Sequence, residues 1–146
     1  MSQEFEMKDL VDLHYCLGIT FWREVGKTLI TRNKYVREIL NRFQMSECKV
    51  LSTTLDQNMK LYSNDGSKEA DGTLYRQLVG SLNYLTTTRK HISFSASILS
   101  RFLAKPCETH WKAVKQVLRY LKGTINFGLL YTDAFDVQLA GYSDSD

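Results

Sequence analysis

The stretch from His110 to Lys122 limits what this chain can fold into more than any other part of it. Trp111, Val114, Leu118 and Leu121 recur at three- and four-residue spacing, and Lys112, Lys115, Arg119 and Lys122 recur at the same spacing one residue later. Each helical residue turns about 100°, so the pattern is a helix whose apolar stripe is flanked by a basic one. Thr109 begins it, and Gly123 suits the residue just past its end. Such a helix is stable only when its apolar stripe is buried against other elements. The chain offers three candidates.

Asn33 can cap a helix over about Lys34 to Gln44, with Tyr35, Val36, Ile39, Leu40 and Phe43 on one face and Lys34, Arg37 and Arg42 elsewhere. Thr73 caps a second, about Leu74 to Thr86, with the stripe Tyr75, Leu78, Val79, Leu82 and Leu85. A third runs from about His91 to Leu103 with Ile92, Ala96, Leu99 and Phe102 on one face, and Pro106 breaks it. Ahead of these, Tyr15, Leu17, Ile19 and Phe21 alternate with their neighbours at the period of a strand. Glu24-Val25-Gly26-Lys27 turns the chain, and Thr28 to Thr31 returns, which makes a β-hairpin. Phe127 to Thr132 and Val137 to Tyr142 read as a second hairpin at the other end. Residues 63–73 are small, polar and aperiodic, and read as a loop or mobile linker. The expected fold class is therefore α+β, hairpin–helices–hairpin, in 146 residues that can bury one core.

Charge adds a direction. Arg101 to Lys122 carries six bases against one acid, Glu108, whereas Asp133, Asp136, Asp144 and Asp146 close the chain with no base among them. A basic block running into an acidic end suits a chain that holds a polyanion beside a metal site. A solvated helix face with an acidic tail accounts for the same charges. No apolar run approaches the roughly 20 residues that span a bilayer, and the acidic start lacks an apolar signal core, so an intracellular protein is expected, in a cytoplasmic particle or the nucleus. Cys16, Cys48 and Cys107 are odd in number and widely spaced, which reads as reduced thiols.

The sequence contains no phosphate-binding glycine loop, no His-Glu-x-x-His and no nucleophile elbow. His14, His91 and His110 are isolated and read as surface or half-buried imidazoles. Asp144 and Asp146 follow a strand, but one or two aspartates cannot hold a catalytic metal pair, which needs several converging oxygens. Composition and pattern alone thus support nucleic-acid binding weakly and catalysis hardly at all.

The ordered blocks are more specific. Met7-Lys8-Asp9-Leu10, Leu13-His14-Tyr15-Cys16-Leu17-Gly18-Ile19 and Tyr35-Val36-Arg37-Glu38-Ile39-Leu40 come first. Tyr75-Arg76-Gln77-Leu78-Val79-Gly80-Ser81-Leu82-Asn83-Tyr84-Leu85 follows, then His110-Trp111-Lys112-Ala113 through Leu118-Arg119-Tyr120-Leu121-Lys122-Gly123-Thr124, then Gly141-Tyr142-Ser143-Asp144. In this order they resemble the Pol polyproteins of copia-type retrotransposons, from the end of reverse transcriptase through the connection to the start of RNase H.

The resemblance implies a map. Residues 1–62 would be the end of the palm and a thumb-like segment, 63–73 a linker, 74–124 a helical connection, and 125–146 the start of an RNase H-like domain. The hairpin at Leu17, Gly18 and Ile19 would be primer-grip-like. Arg37, Arg42, Lys112, Lys115, Arg119 and Lys122 would face phosphates of a template–primer duplex or RNA–DNA hybrid. Asp144 would be the first metal-ligating aspartate of RNase H, with Asp146 the nearby alternative. The parent enzymes would use Mg2+ as RNA-directed DNA polymerase and RNase H; this chain lacks the polymerase Tyr-x-Asp-Asp and the further RNase H acids, so a catalytically inactive fragment that partners the rest of the polyprotein is expected. Where the family has Arg-Pro-Asp-Ile and Ser-Thr-Pro, this chain has Arg89-Lys90-His91-Ile92 and Ser52-Thr53-Thr54. The rival expectation is a docking module without a nucleic-acid role, for which Leu17, Trp22 and Trp111 are the diagnostic residues.

Overall fold

The computed structural model describes residues 14–56, 58–63 and 65–133. Asp144, Asp146 and the strand expected over Val137 to Tyr142 lie outside the described residues. Within them the order is β1 (Tyr15–Cys16), β2 (Ile19–Glu24), β3 (Lys27–Thr31), α1 (Asn33–Arg42), α2 (Gly72–Leu85), a 3-10 turn (Lys90–Ile92), α3 (Ser93–Ser100), α4 (Glu108–Gly123) and β4 (Gly128–Thr132). The fold is α+β: four helices and one antiparallel sheet in the order β1-β2-β3-β4.

The helices pack through the stripes read from the sequence. Val36, Ile39 and Leu40 of α1, all five stripe residues of α2, and Val114, Leu118 and Leu121 of α4 share one buried cluster with Leu55, Ile92, Ala96, Leu99 and Phe102. Burying a large aliphatic side chain contributes about 1.5–3 kcal/mol, so this cluster is where the fold gets its stability. On α4 the buried arc is rotated from the expected one. It centres on His110, Val114, Val117 and Leu121, and leaves Trp111 only partly covered.

Four local expectations are corrected. The strand expected through Leu17 is broken: Cys16 pairs with Ile19 across a two-residue turn in which Leu17 (φ 50°) and Gly18 (φ 76°) are both left-handed. That is the mirror-image turn that matches strand twist. The cap of α2 is Asp71, whose Oδ1 accepts from the Thr73 and Leu74 amides at 2.8 and 3.0 Å, not Thr73. The α1 helix starts at Asn33, which leaves Arg32 as the residue before it. The third helix is shorter than the apolar spacing implied, a 3-10 turn followed by eight residues, because Ser93, Ser95, Ser97 and Ser100 are weak helix formers.

The largest difference concerns β4. Rather than starting a sheet of its own, it lies along β3, with Leu29 opposite Leu130 and Ile30 opposite Leu129. Strands from both ends of the described residues therefore build one sheet. Directly opposed residues share a face, so Trp22, Leu29 and Leu130 form a row on one face and Phe21, Ile30 and Leu129 a row on the other. Neither row belongs to the helical core.

Residues 65–73 are tied to the start of α4. The Ala70 amide bonds Pro106 O, the Glu108 amide bonds Lys68 O, and Glu69 and Cys107 form a lone β-bridge. At that junction His110 is fully buried, flat against Phe102 at 3.9 Å between ring centroids, and its Nδ1 accepts from the Cys107 amide at 3.0 Å.

Candidate nucleic-acid interface

The basic stripe of α4 has local work. A strap of residues 48–54 crosses the outer side of the helix. Arg119 Nε donates to Lys49 O at 2.7 Å, Lys122 Nζ to Cys48 O at 2.8 Å, and Gln116 to Thr54 O at 3.1 Å. The strap returns one bond, from the Leu51 amide to Arg119 O. Gly123 gives it room, since a methyl group there would meet Val50 Cγ1 at 2.8 Å. Lys112 faces Glu108 at 3.7 Å, and Lys115 sits 5.6 Å above the Trp111 ring. Each of the four cations thus has a partner within the chain, which the periodicity could not reveal because two of those partners are backbone carbonyls.

The α1 cations are placed differently. Arg37 and Arg42 are exposed, and among the described residues the only ion pairs are Lys105–Glu69 and Lys112–Glu108. Arg37 shares a shallow hollow of about 270 Å³ with Lys122, Asn41 and Glu47. The structure therefore brings one α1 cation together with one from α4 and leaves Arg42 on another side of α1.

The turn at Leu17-Gly18 is seated on α2. Tyr84 Oη donates to Leu17 O at 2.8 Å, and the same hydroxyl lies 3.8 Å from where a Gly18 side chain would begin. Tyr84 is itself held from beneath by Arg32, whose guanidinium lies 3.8 Å from the ring centroid and donates to Tyr84 O at 3.2 Å, and from the side by Tyr35, edge-on at 5.0 Å. The bracing leaves Leu17 80% exposed, Ile19 half-buried, and Tyr15 exposed with Lys34 Nζ 4.5 Å from its ring centroid. Neither Tyr84 nor Lys34 was singled out at this site by the sequence. Tyr84 stands at a spacing that marks it only as off the buried stripe of its helix.

A second set of aromatics gathers where α2 hands over to α3. His91 lies edge-to-face with Tyr120 at 5.5 Å and with Phe127 at 6.2 Å. Burial, and next the nearby Arg89 charge, hold its imidazole below the ordinary value and so keep it neutral at neutral pH. Arg89, 1% exposed, closes the end of α4: Nη1 donates to Thr124 O at 2.6 Å and Thr124 Oγ1 at 3.1 Å, and Nη2 to Ile125 O at 2.6 Å. Desolvation lowers its guanidinium to about 10, still charged at neutral pH.

Among the described residues no group of three or more His, Cys, Asp or Glu side chains could hold a metal ion. No described helix is long and apolar enough to cross a membrane.

No family model and no solved structure matches the chain. It is 39% identical over its whole length to the retrovirus-related Pol polyprotein from transposon RE1 of Arabidopsis thaliana, and 37% identical to that from transposon TNT 1-94 of Nicotiana tabacum. It is also 37% identical, over 147 aligned positions, to an uncharacterized mitochondrial protein of Arabidopsis thaliana, of which it covers 60%. The chain spans only 10% of the RE1 polyprotein and 12% of the TNT 1-94 one. With every part of it aligned to such proteins, the chain belongs to the family of copia-type retrotransposon Pol polyproteins.

Proposed function

We propose that this chain is a non-catalytic, nucleic-acid-holding segment of a Pol polyprotein, and that its contact surface is the Leu17-Gly18 turn with the adjoining face of α1. One observation supports this above the others: Tyr84 braces a two-residue turn so that Leu17, a bare glycine backbone and Tyr15 project together beside the Lys34 ammonium. Exposed aromatics next to cations suit a nucleic-acid strand, because bases stack on the rings while ammonium and guanidinium groups meet phosphates. Lys34 and Arg37 supply the charge there, and Arg42 adds a third exposed cation on another side of α1. Lys112, Lys115, Arg119 and Lys122 contribute less than their spacing suggested, since each already has an intramolecular partner.

Fluorescence anisotropy of the full chain with a labelled RNA–DNA hybrid tests this. About three phosphate contacts give a logarithmic salt slope near −3, roughly a forty-fold loss of affinity between 50 and 200 mM salt. Binding that ignores salt, or that survives Lys34→Ala with Arg37→Ala unchanged, would sink the reading.

A docking role is the second reading, and a separate observation favours it. Trp22 and Leu130, on one face of the sheet, are 62% and 61% exposed. Large exposed apolar rows mark interfaces. A salt-insensitive dimer in sedimentation analysis, abolished by Trp22→Lys, would favour it.

A further inference from the structure

A hollow of about 590 Å³ lies between residues 52–56, the side of α4 and His91. Its volume falls within the range of small-ligand sites, and its walls differ in kind. Along one side stand the His91 and Tyr120 rings, with Phe127 behind His91. The rest of the lining is mostly polar, Ser52, Thr53, Thr54 and Gln116, with the Asp56 side chain beyond Leu55. One oxygen of Asp56 accepts from the Asn58 amide at 2.8 Å. The carboxylate keeps further lone pairs, and the Gln116 carboxamide keeps its oxygen after its nitrogen has bonded Thr54 O.

A lining that combines aromatic rings with hydrogen-bond acceptors matches a flat, apolar-faced ligand with N–H donors on its edge. Gln116 also lines the next hollow along α4, together with Lys60 and Lys112, so the groove runs on to two cations. We propose that this hollow takes one unstacked base of a single-stranded nucleic-acid tail, with the exposed His91 ring as the stacking face, Tyr120 packed edge-to-face against that ring, and Asp56 as the acceptor for a base N–H.

The inference rests on the nucleic-acid reading above and extends it to a second place on the molecule. The sheet sets the span between the two. Tyr15, Thr20, Thr31 and Gly128 form one row across four strands, and Phe127 precedes Gly128. At about 4.8 Å per strand the row is roughly 15 Å long, short enough for a five-nucleotide tail to cross even at the roughly 3.4 Å per nucleotide of a fully stacked strand. A strand passing the Leu17-Gly18 turn can therefore deliver a base to the hollow after a short tail.

The test compares three ligands on the full-length chain by anisotropy: a blunt RNA–DNA hybrid, the same hybrid with a five-nucleotide overhang, and the same overhang carrying abasic sites. The natural overhang should raise affinity at least fivefold over the blunt hybrid, the smaller end of one stacked base, and the abasic overhang should lose that gain. His91→Ala should remove the overhang's advantage and leave blunt-hybrid affinity unchanged. Asp56→Ala, which leaves no side-chain acceptor at this exposed position, should reduce the advantage in the same way. An abasic overhang that binds like the natural one, or an advantage that survives both substitutions, overturns the proposal and leaves the nucleic-acid reading standing. Failure of all three ligands to bind overturns both.

Discussion

Arg89 offers the sharpest test of how the helices are held. Its guanidinium is buried, pairs with no carboxylate among the described residues, and spends its charge on the carbonyls that end α4. A cation there also complements the helix dipole. Arg89→Met keeps the aliphatic stem and removes three hydrogen bonds; it strands the Ile125 carbonyl, whereas Thr124 O keeps the Phe127 amide at 2.9 Å. The stranded carbonyl costs about 1–3 kcal/mol, and each of the other two lost bonds about 0.5–1.5 kcal/mol. Against this, the variant no longer buries a charge, and the Nε that now lacks a partner disappears with it. The balance is a loss of roughly 3 kcal/mol, which lowers Tm by about 6–12 °C for a domain near this size. Arg89→Lys should fall between, because an ammonium keeps the charge but reaches fewer acceptors from one point. Calorimetric melting of the three proteins decides it. A Met variant within about 0.5 kcal/mol of the parent would mean the carbonyls find water, and that burial rather than hydrogen bonding holds the end of α4.

Other outcomes follow from the same geometry. Helix propensity alone gives Gly123→Ala a gain of about 1 kcal/mol; the Val50 methyl at 2.8 Å should cancel it, and Val50→Ala should restore it in a double-mutant cycle read by urea denaturation. Tyr84→Phe removes the bond to Leu17 O and should cost about 1 kcal/mol, with faster amide exchange confined to the turn and its flanks. Burial holds both His91 and His110 below the ordinary imidazole value in the folded state. The unfolded chain therefore takes up protons first, so stability is complete above about pH 7 and declines as pH falls through the ordinary value near 6.5. His110→Gln should flatten that decline in melts taken between pH 7.5 and 5.

The helical half of the molecule was legible because its signal is periodic. Tyr75, Leu78, Val79, Leu82 and Leu85 satisfy a 3.6-residue repeat that only a buried helix face explains. The partners of the cations were not legible. Arg119 and Lys122 bond to carbonyls of the strap, and a carbonyl is the same at every residue. The break at Leu17-Gly18 was hidden by apolar alternation that continues straight through it, since one glycine in a strand pattern is weak punctuation. Asp71 was passed over as a cap because Thr73, two residues on, is also a common cap residue. At the interface, Leu17, Gly18 and Arg37 came from resemblance. Their companions Tyr84, Lys34 and Tyr15 needed the fold, which brings α2 and α1 against a turn far away in sequence.

The pairing of β3 with β4 also bears on synthesis. A ribosome releases the strand Lys27–Thr31 long before Gly128–Thr132 exists. Until then β3 has one neighbour and an open edge, and such edges invite pairing with other chains. The helices between can form early from local contacts, whereas the sheet waits for a distant contact to close. Nascent chains halted before Gly128 should therefore aggregate through β3, and chains extended past Thr132 should not.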